Sequence, residues 1–417
     1  MGKFVITGGK PLQGSVRIAG AKNATLPIMA ATLLCPGSCE LKRVPNLRDV
    51  HMMKEILTSL GAKIESGPQW CKIDAANVVS YQVPERLMRE MRSSVFLIGA
   101  LLGRLGRAKV SYPGGCAIGP RPIDLHLKGL AALGARIDER HGYIIATAQT
   151  LRGADVHLDF PSVGATENIM LASVRAQGKT VIRNAAKEPE VVDLQNFLTK
   201  MGAQIRGAGT DTIQIEGVNN LKPAAHFIIP DRIEAGTFMV AAAMTGGNVL
   251  LQDVIDEHTE PVAAKLREAG AVVENMNGQI RVRAQGGLNA VDIKTLPYPG
   301  YPTDMQPQTM AMLSCAKGTS VIIETIFTNR FKHVDELRRM GAQIGIEGRA
   351  AVVRGVERLS GAAVEASDLR AGVALVLAGL VAKGQTVVDY IHHIDRGYDG
   401  LEQKLSALGA QIERIQD

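Results

Sequence analysis

Aromatic residues make up only 4% of this 417-residue chain, which holds a single tryptophan. That scarcity argues against a surface that stacks on nucleic-acid bases. The basic residues behind a net charge of +6 are also dispersed among 41 acids rather than gathered in one patch. Small anionic ligands suit such a balance, and no nucleic-acid partner is expected. Long hydrophobic runs are lacking too. The longest low-charge stretch, AGVALVLAGLVA from Ala371 to Ala382, falls well short of the roughly 18 to 20 residues that span a bilayer. The opening MGKFVITGGK has no uninterrupted apolar core of the secretory kind. No membrane association is expected, and a cytoplasmic location is. The five cysteines (Cys35, Cys39, Cys71, Cys116 and Cys315) are odd in number and scattered, which fits neither a disulfide framework nor a paired zinc site. Reduced thiols follow, with no metal and no cofactor expected.

What the chain has in abundance is repetition. SLGAKIE, ALGARID, KMGAQIR, EAGAVVE, RMGAQIG and ALGAQIE place Gly61, Gly134, Gly202, Gly270, Gly341 and Gly409 at spacings of 73, 68, 68, 71 and 68 residues. A unit near 70 residues therefore runs six times through the sequence. Each phrase closes an amphipathic helix, as Met53, Ile56, Leu57 and Leu60 show at helical spacing. The glycine then stops it, because a position just past a helix end commonly needs φ > 0. Alternating sequence such as ARIDER, HG, YIIATA reads as a hairpin.

Upstream in each unit lies a second helix that is small and apolar nearly all round, for example AGTFMVAAAMTGG, which is the composition of a helix enclosed by other elements. Each unit thus reads as helix, strand, helix and hairpin. The sixth ends one strand short, and KFVITGG at the start of the chain can supply it. With hydrophobic residues at 46% there is enough apolar material for two cores. Two three-unit domains are expected, 21–229 and 1–20 with 230–417, joined by crossings near Ala21 and Asp231 that favour hinge motion about a cleft.

The most unusual segment is SYPGGCAIGPRPIDLHLKGL, in the second unit, where glycines and prolines surround Cys116. A blindly chosen cysteine is more often buried and inert, but this setting favours an exposed functional loop. A thiol near Arg121 and a helix start would be activated as proton donor or nucleophile. Charged residues also gather at helix beginnings: Lys22, Arg92, Asp231, Asp304 and Arg370 at the enclosed helices, and Arg121, Arg330 and Arg396 at the outer ones. A cation there opposes the macrodipole, so an anion should offset it. The alternative is local pairing, of Arg370 with Asp368 or Arg396 with Asp395. Asp304, in YPTDMQPQ, reads either as a helix cap or as a general base, and the two roles are compatible.

The combination AGAKNATLPIMAA, MRSS, PGGCAIGPRPIDLH, PSVGATENIM, YPTDMQPQ, TNRF, SDLRAG and DRGYDGLEQKL resembles the UDP-N-acetylglucosamine 1-carboxyvinyltransferases of the enolpyruvyl transferase family over essentially the full length. The resemblance implies an α/β (α+β) fold, an inside-out α/β barrel of two similar domains with three βαβαββ repeats each, and a substrate cleft between them. It implies transfer of the enolpyruvyl group of phosphoenolpyruvate to the sugar 3-hydroxyl, the first committed step of peptidoglycan synthesis. Lys22 and Asn23 would contact phosphoenolpyruvate and the sugar. Arg92, Arg121 and Arg396 would hold anionic groups, with Arg330 and Arg370 also binding substrate. Arg121, Pro122, Ile123, Asp124 and Leu125, together with Ser162, Val163, Gly164 and Ile326, would cradle the UDP-sugar. Cys116 would be the acid, open to the epoxide fosfomycin, and Asp304 the base, with Lys22 and Arg396 also catalytic. One departure is that Phe160 and Pro161 precede Ser162, where some members carry a lysine. The nearest rival is the shikimate-pathway enolpyruvyl transferase, against which the cysteine-bearing loop argues. A nucleic-acid clamp is the rival from another class, and a reactive loop cysteine has no work there.

Overall fold

The computed structural model describes residues 2–91, 95–112 and 123–416. Arg92, Cys116, Arg121 and Pro122, all singled out above, lie outside the described residues. The described chain packs into two compact units, one of residues 2–19 and 230–416, the other of residues between 20 and 229.

Both units are built from pairs of helices, one enclosed and one outer. In the 20–229 unit the pairs are α1 (Lys22–Ala31) with α2 (Arg48–Ser59), α4 (Leu97–Leu105) with α5 (Asp124–Ala132), and α6 (Val163–Ser173) with α7 (Pro189–Lys200). The short α3 (Glu85–Glu90) precedes α4. In the other unit they are α8 (Arg232–Met244) with α9 (Asp256–Glu268), α10 (Gln306–Leu313) with α11 (His333–Arg339), and α12 (Leu369–Val381) with α13 (Leu401–Ala407). The recurring glycine phrase is now explained locally. At every outer helix end except α3's, the glycine adopts φ between +90° and +109°. The alanine after it donates back to a leucine carbonyl five residues earlier: Ala62 to Leu57, Ala135 to Leu130, Ala203 to Leu198, Ala271 to Leu266, Ala342 to Leu337 and Ala410 to Leu405, at 2.9 to 3.1 Å. This is the Schellman stop, in which the left-handed residue lets orphan carbonyls of the last turn find donors. The leucine also buries its side chain, so one short phrase both ends the helix and fixes its packing face.

Each unit carries three sheets. In the 20–229 unit, Ala225–Phe227 runs parallel to Ser38–Lys42, which continues antiparallel through Trp70–Asp74 to Lys63–Gly67. A second sheet joins Arg107–Ser111, Tyr143–Thr147 and Arg136–Arg140. The third places Asp155–His157 parallel to Lys179–Arg183, followed by Thr212–Glu216 and Gln204–Arg206. The other unit repeats the order with Gln13–Arg17, Asn248–Gln252, Gln279–Arg283 and Val272–Asn275, then with Ile293–Lys294, Thr319–Ile323, Ala350–Arg354 and Gln343–Glu347. Its last sheet runs Ala363–Glu365, Gln385–Asp389, Lys3–Thr7 and Gln411–Ile415, so the strand that starts the chain pairs with the one that ends it.

Alternation in these strands turns one face inward. Phe4 and Ile6 in the first strand are wholly buried, as are Val249 and Leu251, and each such side chain contributes roughly 1.5–3 kcal/mol. The enclosed helices lie beneath those faces and touch one another through small residues. Gly99 of α4 donates its amide to Asn168 Oδ1 of α6 at 2.6 Å. A methyl group at Gly99 would stand 2.1 Å from the Asn168 carbonyl oxygen, which is why glycine occupies that crossing. Where a parallel strand pair flanks an enclosed helix, as at α6, α10 and α12, the helix N-terminus lies at the carboxyl ends of those strands, the usual place for ligands in such units. No helix among the described residues is long and apolar enough to cross a membrane.

Candidate active site

In the unit containing α8 to α13, the candidates gather around Asp304. This residue sits in the single turn Thr303–Met305 between Pro302 and α10. It is not a cap, because Met305 occupies that position at α10 and no side chain caps the helix. Its carboxylate is taken by two arginines instead. Oδ1 accepts from Arg330 Nη2 at 2.8 Å, and Oδ2 accepts from Arg370 Nη2 at 3.1 Å. The two guanidinium side chains are 3% exposed, whereas that of Asp304 is 27% exposed. A carboxylate oriented by two buried cations and about a quarter exposed can accept a proton from a group outside the cluster. The Nε atoms of both arginines are buried and have no hydrogen-bond partner among the described residues.

For Arg370 the local side-chain pairing weighed from sequence gives way to longer-range partners. Asp368 caps α12, its Oδ1 accepting from the amides of Arg370 and Ala371 at 2.9 and 3.0 Å. That leaves the Arg370 guanidinium to Asp304 and to Tyr398, whose hydroxyl lies 3.1 Å from Nη1. Burial works against the charge on Arg370, but Tyr398 and the carboxylates of Asp304 and Asp231 outweigh it and hold the group protonated. Asp395 is engaged by Arg414 at 2.6 Å, and Arg396 closes the turn Ile391–Arg396 beside it. Asp231 caps α8 through the amides of Ile233 and Glu234.

Ile326 is set in place by a residue the sequence did not single out. Glu324, 1% exposed at the end of Thr319–Ile323, accepts from the amides of Ile326 and Phe327 at 2.8 and 3.0 Å, and from Thr303 Oγ1 at 2.9 Å. One carboxylate thus ties the Ile326 turn to the Asp304 turn. A buried glutamate closing an apolar strand was the available signal.

In the 20–229 unit, Lys22 and Asn23 open α1, where Ala21 supplies no side-chain cap. The Lys22 ammonium lies 3.4 Å from Asp49 of α2, with side-chain exposures of 11% and 4%. Ser162 caps α6, its Oγ accepting from the amide of Ala165 at 3.3 Å, and Val163 and Gly164 form the first turn. Ile123, Asp124 and Leu125 open α5. These two segments meet through His126: a methyl at Gly164 would come within 3.1 Å of its ring, and Asn168 Nδ2 lies 3.0 Å from its Nδ1. Asn168 also donates to the Val95 carbonyl at 3.1 Å and accepts from Gly99, so one buried amide aligns the starts of α4, α5 and α6. Close by in sequence, Glu167 is fully buried, and its carboxyl is pushed well above the usual range by burial and then by Glu190 and Glu188.

Comparison with known proteins bears on what these groups serve. Residues 6–405 match the family described as EPSP synthase (3-phosphoshikimate 1-carboxyvinyltransferase). UDP-N-acetylglucosamine 1-carboxyvinyltransferase 1 of Caldanaerobacter subterraneus subsp. tengcongensis is 58% identical over 414 residues, 99% of each chain. UDP-N-acetylglucosamine 1-carboxyvinyltransferase 2 of Carboxydothermus hydrogenoformans is 56% identical over 420 residues, all of both chains. Among solved structures, the enolpyruvyl transferase NikO from Streptomyces tendae superposes with a TM-score of 0.91 at 24% identity, covering 100% of this chain and 99% of that one. EPSP synthase from Acinetobacter baumannii gives 0.77 at 19% identity with both chains fully covered, a likeness of fold alone. A fold shared with both solved enzymes, a family match across nearly the whole chain and relatives more than half identical along it all lead to one assignment: the chain belongs to the enolpyruvyl transferase family.

Proposed function

We propose that this protein transfers the enolpyruvyl group of phosphoenolpyruvate to the 3-hydroxyl of UDP-N-acetylglucosamine and releases phosphate, the first committed step of peptidoglycan synthesis. The observation that carries the reading is 58% identity along 99% of the chain to a relative bearing that activity's name, against 19% to the EPSP synthase structure. The sugar hydroxyl oxygen bonds to C2 of phosphoenolpyruvate while a proton is added at C3. The resulting tetrahedral ketal then loses a C3 proton and phosphate, regenerating the double bond on the sugar.

Asp304 takes the hydroxyl proton, and its two arginine contacts support that role by fixing the orientation of a carboxylate that is about a quarter exposed. Cys116 delivers the proton to C3. Lys22, Arg92, Arg121, Arg330, Arg370 and Arg396 hold the phosphate and carboxylate charges, a stabilisation that is usually the largest catalytic contribution. Asn23, Pro122, Ile123, Asp124, Leu125, Ser162, Val163, Gly164 and Ile326 bind the nucleotide-sugar. Asn168 supports this assignment because it aligns the starts of α4, α5 and α6. These groups come from both domains, 21–229 and 1–20 with 230–417. The reading entails a cytoplasmic enzyme needed for cell-wall growth, cell shape and division, and alkylation of the Cys116 thiol by fosfomycin.

A coupled phosphate-release assay decides the acceptor. Release with UDP-N-acetylglucosamine and none with shikimate 3-phosphate is expected, and the reverse overturns the assignment. Cys116→Asp is expected to keep turnover and resist fosfomycin, whereas Cys116→Ser loses nearly all turnover without unfolding. A Cys116→Asp enzyme still inactivated by the epoxide places the reactive group elsewhere.

A further inference from the structure

We propose that Tyr398 is a positioning residue that holds the carboxylate of Asp304 in place through Arg370, an inference that rests on the transferase reading of this site. Tyr398 is 2% exposed, two residues beyond Arg396, and its hydroxyl meets three polar groups. Arg370 Nη1 stands at 3.1 Å, Gln308 Nε2 at 3.2 Å and Thr237 Oγ1 at 3.0 Å.

A count of protons fixes the direction of every bond. Guanidinium and amide nitrogens only donate, so the phenol oxygen accepts from both Arg370 and Gln308. Its own proton then has Thr237 Oγ1 as its acceptor. Thr237 is free to accept because its proton goes to the Ile233 carbonyl one turn earlier, at 2.8 Å. The chain of bonds therefore runs from the guanidinium through the phenol and Thr237 to the backbone of α8, and the phenol lone pairs face Arg370 by necessity. Because a guanidinium is planar and rigid, pinning Nη1 also aims Nη2, which lies 3.1 Å from Asp304 Oδ2. Arg330 holds the other carboxylate oxygen from a separate turn, so loss of the Tyr398 hydroxyl frees one side of Asp304 and not both.

The test uses the full chain and four variants, Tyr398→Phe, Thr237→Val, Arg370→Lys and the Tyr398→Phe/Arg370→Lys pair. Phosphate release is measured well below each variant's unfolding midpoint. Tyr398→Phe is expected to lower kcat at least about tenfold while KM for UDP-N-acetylglucosamine stays within about twofold. Thr237→Val removes the acceptor for the phenol proton and is expected to lower kcat in the same sense by less, which keeps the question open to test should the phenylalanine variant fail to fold. The double variant is expected to be no slower than Arg370→Lys alone, because the hydroxyl acts only through that guanidinium, whereas a purely structural role would give losses that add. Wild-type kcat in both Tyr398→Phe and Thr237→Val, or additive losses in the double variant, would overturn the inference. Wild-type turnover with shikimate 3-phosphate in place of UDP-N-acetylglucosamine would sink the acceptor assignment alone, and the same comparison made with that acceptor would then decide the role of Tyr398.

Discussion

His333 gives the sharpest physical test of the arginine cluster. It opens α11, three residues after Arg330, is 1% exposed, and its Nε2 has no partner among the described residues. Its ring is hydrogen-bonded to the backbone of Arg330. Burial is the main force on its titration. The charge of Arg330 adds to burial, Asp368 and the Arg330 backbone oppose both, and the net result is a pKa lowered from 6.5 to about 4. The folded chain therefore keeps this ring neutral while the unfolded chain protonates it. Its contribution is intact above about pH 6.5, declines as pH falls, and is lost by about pH 4. The full gap is worth about 3 kcal/mol, and the part between pH 7 and pH 4.5 about 2 kcal/mol. Native-state hydrogen exchange at the α11 amides reads this as a loss of opening free energy, a fall in protection of roughly thirtyfold after correction for the intrinsic rate. His333→Gln keeps an N–H for the Arg330 backbone and cannot titrate, so its α11 protection should fall by about 2 kcal/mol less over the same interval. Titration elsewhere cancels in the comparison. Equal losses in the two proteins, within about threefold in protection, would mean that the ring takes up its proton without opening, and the reasoning from burial would fail.

Three further outcomes follow from single contacts. Gly99→Ala sets a methyl group against the Asn168 carbonyl and displaces a 2.6 Å hydrogen bond, so thermal unfolding should show a loss of roughly 2–4 kcal/mol despite the better helix propensity of alanine. Lys404→Met removes the ammonium 2.6 Å from Glu234, a carboxyl 3% exposed that also accepts from the amide of Ala19. An uncompensated buried carboxylate costs roughly 3–5 kcal/mol. Urea titrations should show that deficit shrinking as pH falls, because burial already raises the Glu234 pKa and protonation relieves the stranded charge. Asp304→Asn should lower kcat at least about a hundredfold with an unchanged circular dichroism spectrum, and full activity would remove Asp304 as the base.

Much of the architecture was legible because its signals are local. The leucine, glycine and alanine of each repeat are three parts of one hydrogen-bonded stop, complete within six residues, so they read the same in sequence and in space. The enclosed helices were legible from all-round apolarity, since a helix with no polar face has to be covered. The site was legible as a set of residues and much less so as a set of contacts. Asp304, just after a proline and ahead of a helix, looks like a cap, yet its partners lie 26 and 66 residues away. His126, Glu324 and Tyr398 escaped notice for the same reason. Asn168 is 42 residues from His126, and Thr237 is 161 residues from Tyr398. Distance along the chain erases any pattern from which such roles are read.

The cations at helix starts suggested an offsetting anion, and for two of them the described contacts supply one within the protein. Lys22 at the head of α1 faces Asp49 of the neighbouring helix, and Arg370 in the first turn of α12 faces Asp304. An unfavourable macrodipole contact costs roughly 0.3–1 kcal/mol, whereas a hydrogen bond to a charged group returns about 1.5–3 kcal/mol. The carboxylates within the protein therefore outweigh the opposed dipole before any substrate arrives. A basic residue at a helix start is then no sign of a ligand by itself. What distinguishes Asp304 is that two almost fully buried arginines each donate one Nη2 bond to a carboxylate that stays a quarter exposed. That remaining exposure leaves the carboxylate reachable from outside the cluster, as the proposed proton acceptance requires.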